Sequence, residues 1–204
     1  MGFQNTQPFE IIAAPYNVYF APVGTAFPLI DVAVPAAPWK LVGSSGNLNY
    51  TDEGVTVAHN QALEKFRALG DSGSRKIFRT EEDLMIRLML ADITLEQYAH
   101  ALNSNPVTTV AAGAGTAGYK VIGLSRGFAV ATVALMVRGP SPYGDNYTLQ
   151  YEVPLAAQSG NPETVFVKNT PVGLALEWTA LVDPNAVSAA ERFGRLRAQH
   201  AAAA

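Results

Sequence analysis

Gly54–Leu90, GVTVAHNQALEKFRALGDSGSRKIFRTEEDLMIRLML, is the stretch whose reading decides the fold. In its second half Leu84, Ile86, Leu88 and Leu90 fall on one side, and Met85, Arg87 and Met89 on the other. That is the two-residue period of a strand with one buried face. A helix would scatter the same four residues around its circumference. Gly70-Asp71-Ser72-Gly73-Ser74 in the middle is a turn cluster of residues that tolerate positive φ. The stretch therefore predicts one long antiparallel β-hairpin, with arms Val55–Leu69 and Arg75–Leu90. Both arms exceed the usual strand of ~5–6 residues. The distal half, Leu63–Thr80, also loses its clean apolar face. Such an arm must lean on another chain or form a flexible lobe.

Composition narrows the class. The chain has 204 residues, suited to a single domain over 1–204 with extended arms. Charged residues make up 15% and hydrophobic ones 49%, against ~25% charged in ordinary soluble domains. A surface that poor in charge suits a subunit buried among copies of itself. With a net charge of −3 the chain is no general attractor of nucleic acid. Cysteine is absent, which excludes disulfides, thiolate nucleophiles and zinc–cysteine sites. No apolar run approaches the ~20 residues that span a bilayer, and the start lacks a signal-peptide pattern. These features lead us to expect a cytoplasmic product with no membrane partner. Met1–Thr6 matches the myristoylation pattern, but no basic cluster or second lipid site supports it.

Around the hairpin, residues 1–15 read as an N-terminal arm, Tyr16–Val23 as a strand, Gly24–Pro38 as a loop and Trp39–Gly43 as a short strand. Residues 94–103 read as the one internal helix. Thr94-Leu95-Glu96-Gln97 has the form of a capping box, and Leu95, Tyr98, Ala99 and Leu102 form an apolar stripe. His100 on this helix reads as a structural histidine. Further strands are expected at Val107–Val110, Tyr119–Ile122, Phe128–Arg138, Tyr147–Pro154, Glu163–Lys168 and Gly173–Val182. A C-terminal arm, 183–204, is expected to carry a short helix from the capping box Ser188-Ala189-Ala190-Glu191 to about Gln199. The sum is a mainly β fold, a β-sandwich or partly open barrel with one flanking α-helix.

Two enzyme-like motifs lack their context. Gly113–Gly118 matches G-x-G-x-x-G, but a strand follows it where dinucleotide binding needs a helix N-terminus. Gly123-Leu124-Ser125-Arg126-Gly127 matches the nucleophile elbow, and Ser125, Asp145 or Asp183, and His200 even fall in triad order. A strand-like run again replaces the helix, and His200 lies in an alanine-rich tail. A serine esterase is thus a distant alternative; no catalytic residue, cofactor or metal is expected.

The order of these parts resembles the tail tube proteins of long-tailed bacteriophages, related in fold to the tube protein of the type VI secretion system. The resemblance rests on Gly54–Val57, the long hairpin arms, Leu90–Tyr98, Arg138–Gly144 and Asp183–Ala186. It implies a structural virion protein that forms hexameric rings stacked into a hollow tube, the conduit for DNA. It also implies assembly in the host cytoplasm, contact with terminator, tip or baseplate and tape-measure proteins, and passage of DNA without specific binding. Another phage structural protein, such as a head-completion or decoration protein, or a secretion-system tube, is the alternative.

Residue roles follow from that resemblance together with the strand period. If Leu84, Ile86, Leu88 and Leu90 face the core, then Glu81, Asp83 and Arg87 share the opposite face with Glu64 of the first arm. In a tube that face is the lumen. Its ionisable members are mainly acidic, so DNA would not adhere. Lys65, Arg67, Asp71, Arg75, Lys76 and Arg79 mark the distal hairpin as the charged element of a charge-poor chain. They form either a solvated tip or pairs between subunits. Arg192, Arg195 and Arg197 suit the C-terminus of the expected helix or contacts to the next ring.

Overall fold

The computed structural model describes residues 7–169 and 171–203. The myristoylation-like residues 1–6 lie outside them, so the N-terminal arm is described only from Gln7, through a short 3-10 turn at Pro8–Glu10. Among the described residues the fold is mainly β, with antiparallel sheets and one α-helix. The strands are β1 (Asn17–Ala21), β2 (Lys40–Leu41), β3 (Tyr50–Arg67), β4 (Ser74–Leu90), β5 (Val107–Val110), β6 (Tyr119–Ile122), β7 (Thr132–Pro140), β8 (Thr148–Gln158), β9 (Leu174–Ala180) and β10 (Arg195–Ala198). The helix α1 is Leu95–Ala101.

One sheet runs β2-β1-β7-β8-β9-β4-β3, and β10 adds to β8; β5 and β6 form a separate ribbon. The long strand β8 shares one edge between two partners. Its first half pairs with β10, and its end, from Ala156, pairs with β9. The sheet bends where these partners change, and its two halves close over a single core. Val18, Leu135, Val137 and Val153 from one half meet Leu84, Ile86, Leu88, Leu90, Leu174, Leu176 and Trp178 from the other. The four alternating hairpin residues are 0–7% exposed, as their period requires.

The sheet does not close into a barrel: β2 and β3 remain its two ends. Tyr50 bridges them through its hydroxyl, which accepts from the Val18 N–H and donates to the Val42 carbonyl. Burial pushes this phenol up to about 12.

The second face of the β1–β7–β8 half is covered by the segment 22–39. Ala21, Trp39, Ala134 and Met136 form a small core there, with Tyr19 and Phe27 against it. Helix α1 closes one end of the main core. It buries His100, Ala101 and Leu102, so the buried stripe is displaced from Leu95 and Ala99. The expected capping box does not form. Gln97 instead accepts from the Gly43 N–H, and Asp92 accepts from the N–H groups of Thr94 and Ser44. Burial would raise the Asp92 carboxyl, but those hydrogen bonds outweigh it and hold it below the ordinary value.

Three expected elements differ. No helix spans Ser188–Gln199: a 3-10 turn at Ala189–Glu191 leads into strand β10. A free edge on β8 and a buried carboxylate at Glu152 draw this segment into the sheet, and tertiary pairing overrides local helix preference. Glu163–Lys168 is not a strand: apart from a single bridge residue at Val167 it has no ladder pairing among the described residues, and Phe166 is 71% exposed. The strand expected from Phe128 begins only at Thr132, because 123–131 forms an exposed loop.

Candidate assembly surface

The hairpin β3–β4 projects beyond the core. Its pairing runs in register to Ala62↔Glu81 and resumes at Leu63↔Arg79, which leaves Thr80 as a bulge. Directly paired residues point to the same face. Thr56/Arg87, Ala58/Met85, Asn60/Asp83 and Ala62/Glu81 thus share the face turned away from the core. Beyond the bulge Glu64/Phe78 and Phe66/Lys76 continue it. The structure therefore brings Glu64, Glu81, Asp83 and Arg87 onto one ribbon face.

That face is more acidic than a formal count suggests. Arg87 is ion-paired with Glu177 of β9. Glu64, Glu81 and Asp83 have no cationic partner among the described residues. Near the root, Glu53, Thr56, Arg87 and Glu177 border an open groove of about 410 Å³ on the same side.

At the tip, Asp71 accepts from the Gly73 N–H and pairs with Arg75 at 3.2 Å. These contacts hold its carboxyl below the ordinary range. Arg79 bonds Gln61 and lies 3.7 Å from Glu82, so part of the tip charge is satisfied within the ribbon. Lys65, Arg67 and Lys76 have no carboxylate partner among the described residues. The Lys76 ammonium sits 5.0 Å from the Phe78 ring centre. Leu63, Phe66, Leu69, Ile77 and Phe78 are all exposed. Leu63 and Ile77 lie on one face of the ribbon, and Phe66 and Phe78 on the other.

Strand β3 is also the last strand of the sheet. Alternate N–H and C=O groups along its 18 residues point away from β4. Between Val55 and Leu63 this edge carries no Asp, Glu, Lys, Arg or Pro. It thus lacks the charges and prolines by which sheet edges often resist pairing.

The C-terminal arginines are committed within the chain. Arg195 and Arg197 reach Glu152 at 2.6 and 3.1 Å, and Arg192 pairs with Glu82. Pairing with Glu152 raises the Arg195 guanidinium further. The Glu152 carboxylate is 1% exposed. Removing the partners of such a buried charge costs ~3–5 kcal/mol. Sequence reasoning missed Glu152, although one signal was present. Arg195 and Arg197 stand two apart, the spacing of a strand face, opposite the alternating polar residues Gln150 and Glu152.

Neither enzyme-like motif acquires a site. Gly113 and Thr116 form a tight bridge that leads into β6. The Ser125 hydroxyl accepts from the Gly127 N–H in an exposed loop, with no hydrogen bond to a histidine or carboxylate among the described residues. His100 is buried edge-on to Phe20, with ring centres 4.4 Å apart, and 6.4 Å from Trp178. No family model matches the chain, and no curated protein matches it.

Proposed function

We propose that the chain is a structural subunit of a long-tailed bacteriophage tail tube, self-assembling into stacked hexameric rings that conduct DNA. One observation carries this reading: the projecting β3–β4 ribbon. It has an unprotected edge, and large apolar side chains are exposed on both of its faces. A solitary molecule gains nothing from such an element and risks aggregation. A ring of copies completes it, because a neighbour supplies ladder partners for β3 and covers Leu63, Phe66, Ile77 and Phe78.

The same arrangement serves conduction. Proximal to the Thr80 bulge, Glu81 and Asp83, with Arg87 neutralised by Glu177, give the proposed lumen an acidic wall, and Glu64 follows at the border of the distal segment that the neighbour covers. Like charge keeps the polyanion from binding while it moves. On this reading the chain has no catalytic role and needs no cofactor. Its partners are its own copies and the terminator, tip and tape-measure proteins, and its place is the virion tail, after assembly in the host cytoplasm. Negative-stain imaging of the purified chain at rising concentration tests the proposal. Rings or tubes of uniform width support it; a monomer that never associates, alone or with tail partners, refutes it.

A further inference from the structure

A row of buried polar side chains crosses the face of β7 and β8 that lies beneath the segment 22–38. Arg138 of β7 pairs in register with Gln150 of β8, and Glu152 follows two residues on. Arg138 donates to the carbonyls of Ile30 and Val32. The Gln150 amide donates both to the Pro28 carbonyl, at 3.2 Å, and to Glu152 Oε1, at 2.6 Å. Glu152 is filled from the other side, Oε2 by Arg195 and Oε1 by Arg197. The row therefore connects two segments far apart in sequence, 22–38 and β10.

We infer that β10 is a latch on the segment 22–38, with Glu152 and Gln150 as the linkage between them. Glu152 is a buried carboxylate whose charge is tolerable only while both arginines hold it. If β10 leaves, the single donor that remains is the Gln150 amide. That amide is then drawn toward Glu152 and away from Pro28. Two atoms of the same row, Arg138 Nη1 and Gln150 Oε1, are buried without a hydrogen-bond partner among the described residues. The network is thus incompletely satisfied and costly to disturb further. A cavity of about 170 Å³ separates the two segments, bordered by Phe27 on one side and by Gly194 and Arg195 on the other.

The latch is also short. β10 has four residues, and Gly194 precedes it with φ +118°, in close approach to the Glu152 carbonyl. A Cβ there would fall 2.0 Å from that oxygen, so only glycine allows β10 to enter. The segment 22–38 leaves Leu29 and Val34 exposed; Phe27 packs on Trp39, and the stretch from Pro28 to Val32 is held through its carbonyls by Gln150 and Arg138.

Hydrogen exchange on the full chain tests this, with residues 84–90 as internal control. In the R195A/R197A double variant we expect 22–38 to exchange about tenfold faster, within the usual span of site-to-site coupling, while 84–90 is unchanged. Adding E152Q, which removes the buried charge, should restore most of the protection. Because coupling is reciprocal, Arg138→Met, whose guanidinium bonds Ile30 and Val32 and no residue of β10, should loosen residues 195–198. Unchanged exchange over 22–38 in the double variant overturns the inference. So does acceleration of every region together, or no recovery on adding E152Q. Should the double variant not fold, Arg138→Met decides alone: unaltered exchange at 195–198 overturns the latch.

Discussion

His100 lies between Phe20 and Trp178, 8% exposed, and burial drives its pKa from 6.5 down to about 4. The folded chain therefore keeps it neutral while the unfolded chain takes up a proton below pH 6.5. Its contribution to stability is complete above 6.5 and is lost as pH falls from there toward 4. At ~1.4 kcal/mol per pH unit, acidification from pH 7 to 4.5 should remove about 2–3 kcal/mol through this residue. His100→Leu should flatten that slope, read as urea midpoints of the unassembled chain at the two pH values. Asp92 titrates separately, since its lowered carboxyl loses its contribution only below the ordinary carboxylate range. The structural role of His100 was legible from its place on the helix. Glu152 was not, because alternation at Tyr151 and Val153 shows only which face is apolar. It does not show that the polar face is itself covered.

Among the elements, the hairpin was the most legible. Its strand period agrees with the core face it buries, and its turn cluster consists of residues suited to a reversal. The Thr80 bulge was hidden, because a single inserted residue leaves local composition unchanged while exchanging the faces of everything beyond it. The C-terminal segment was misread for the opposite reason. Ser188–Glu191 carries a plausible local helix signal, and the free edge of β8 that outweighs it lies some forty residues away in sequence. At this scale the exposed apolar pair Phe66 and Phe78 gives a direct prediction. The F66D/F78D variant should keep the thermal midpoint of the isolated chain, since both side chains are about half exposed there. It should lose association, shown by sedimentation velocity as a species that stays monomeric at concentrations where the parent assembles.

At the scale of the whole molecule, low charge content and an incomplete sheet express one property. On the proposed reading, part of this protein's surface is interior that a neighbouring copy completes. The mainly β class follows from alternation and turn chemistry, whereas the choice among a sandwich, a barrel and the open sheet observed depends on long-range strand pairing. Charge on the ribbon face supplies a functional prediction. If the chain is the proposed tube subunit, phage carrying Glu64→Lys plus Asp83→Lys should assemble tails but release DNA more slowly in an ejection assay. Normal kinetics would remove those residues from the lumen.

The central claim is that sister copies complete the β3 edge, and amide exchange over Val55–Leu63 tests it most directly. Outward-pointing amides of β3 should exchange freely in the dilute chain and become strongly protected in assembled material. Protection confined to other surfaces, with Val55–Leu63 exchanging as fast in the assembly as in the dilute chain, would contradict it.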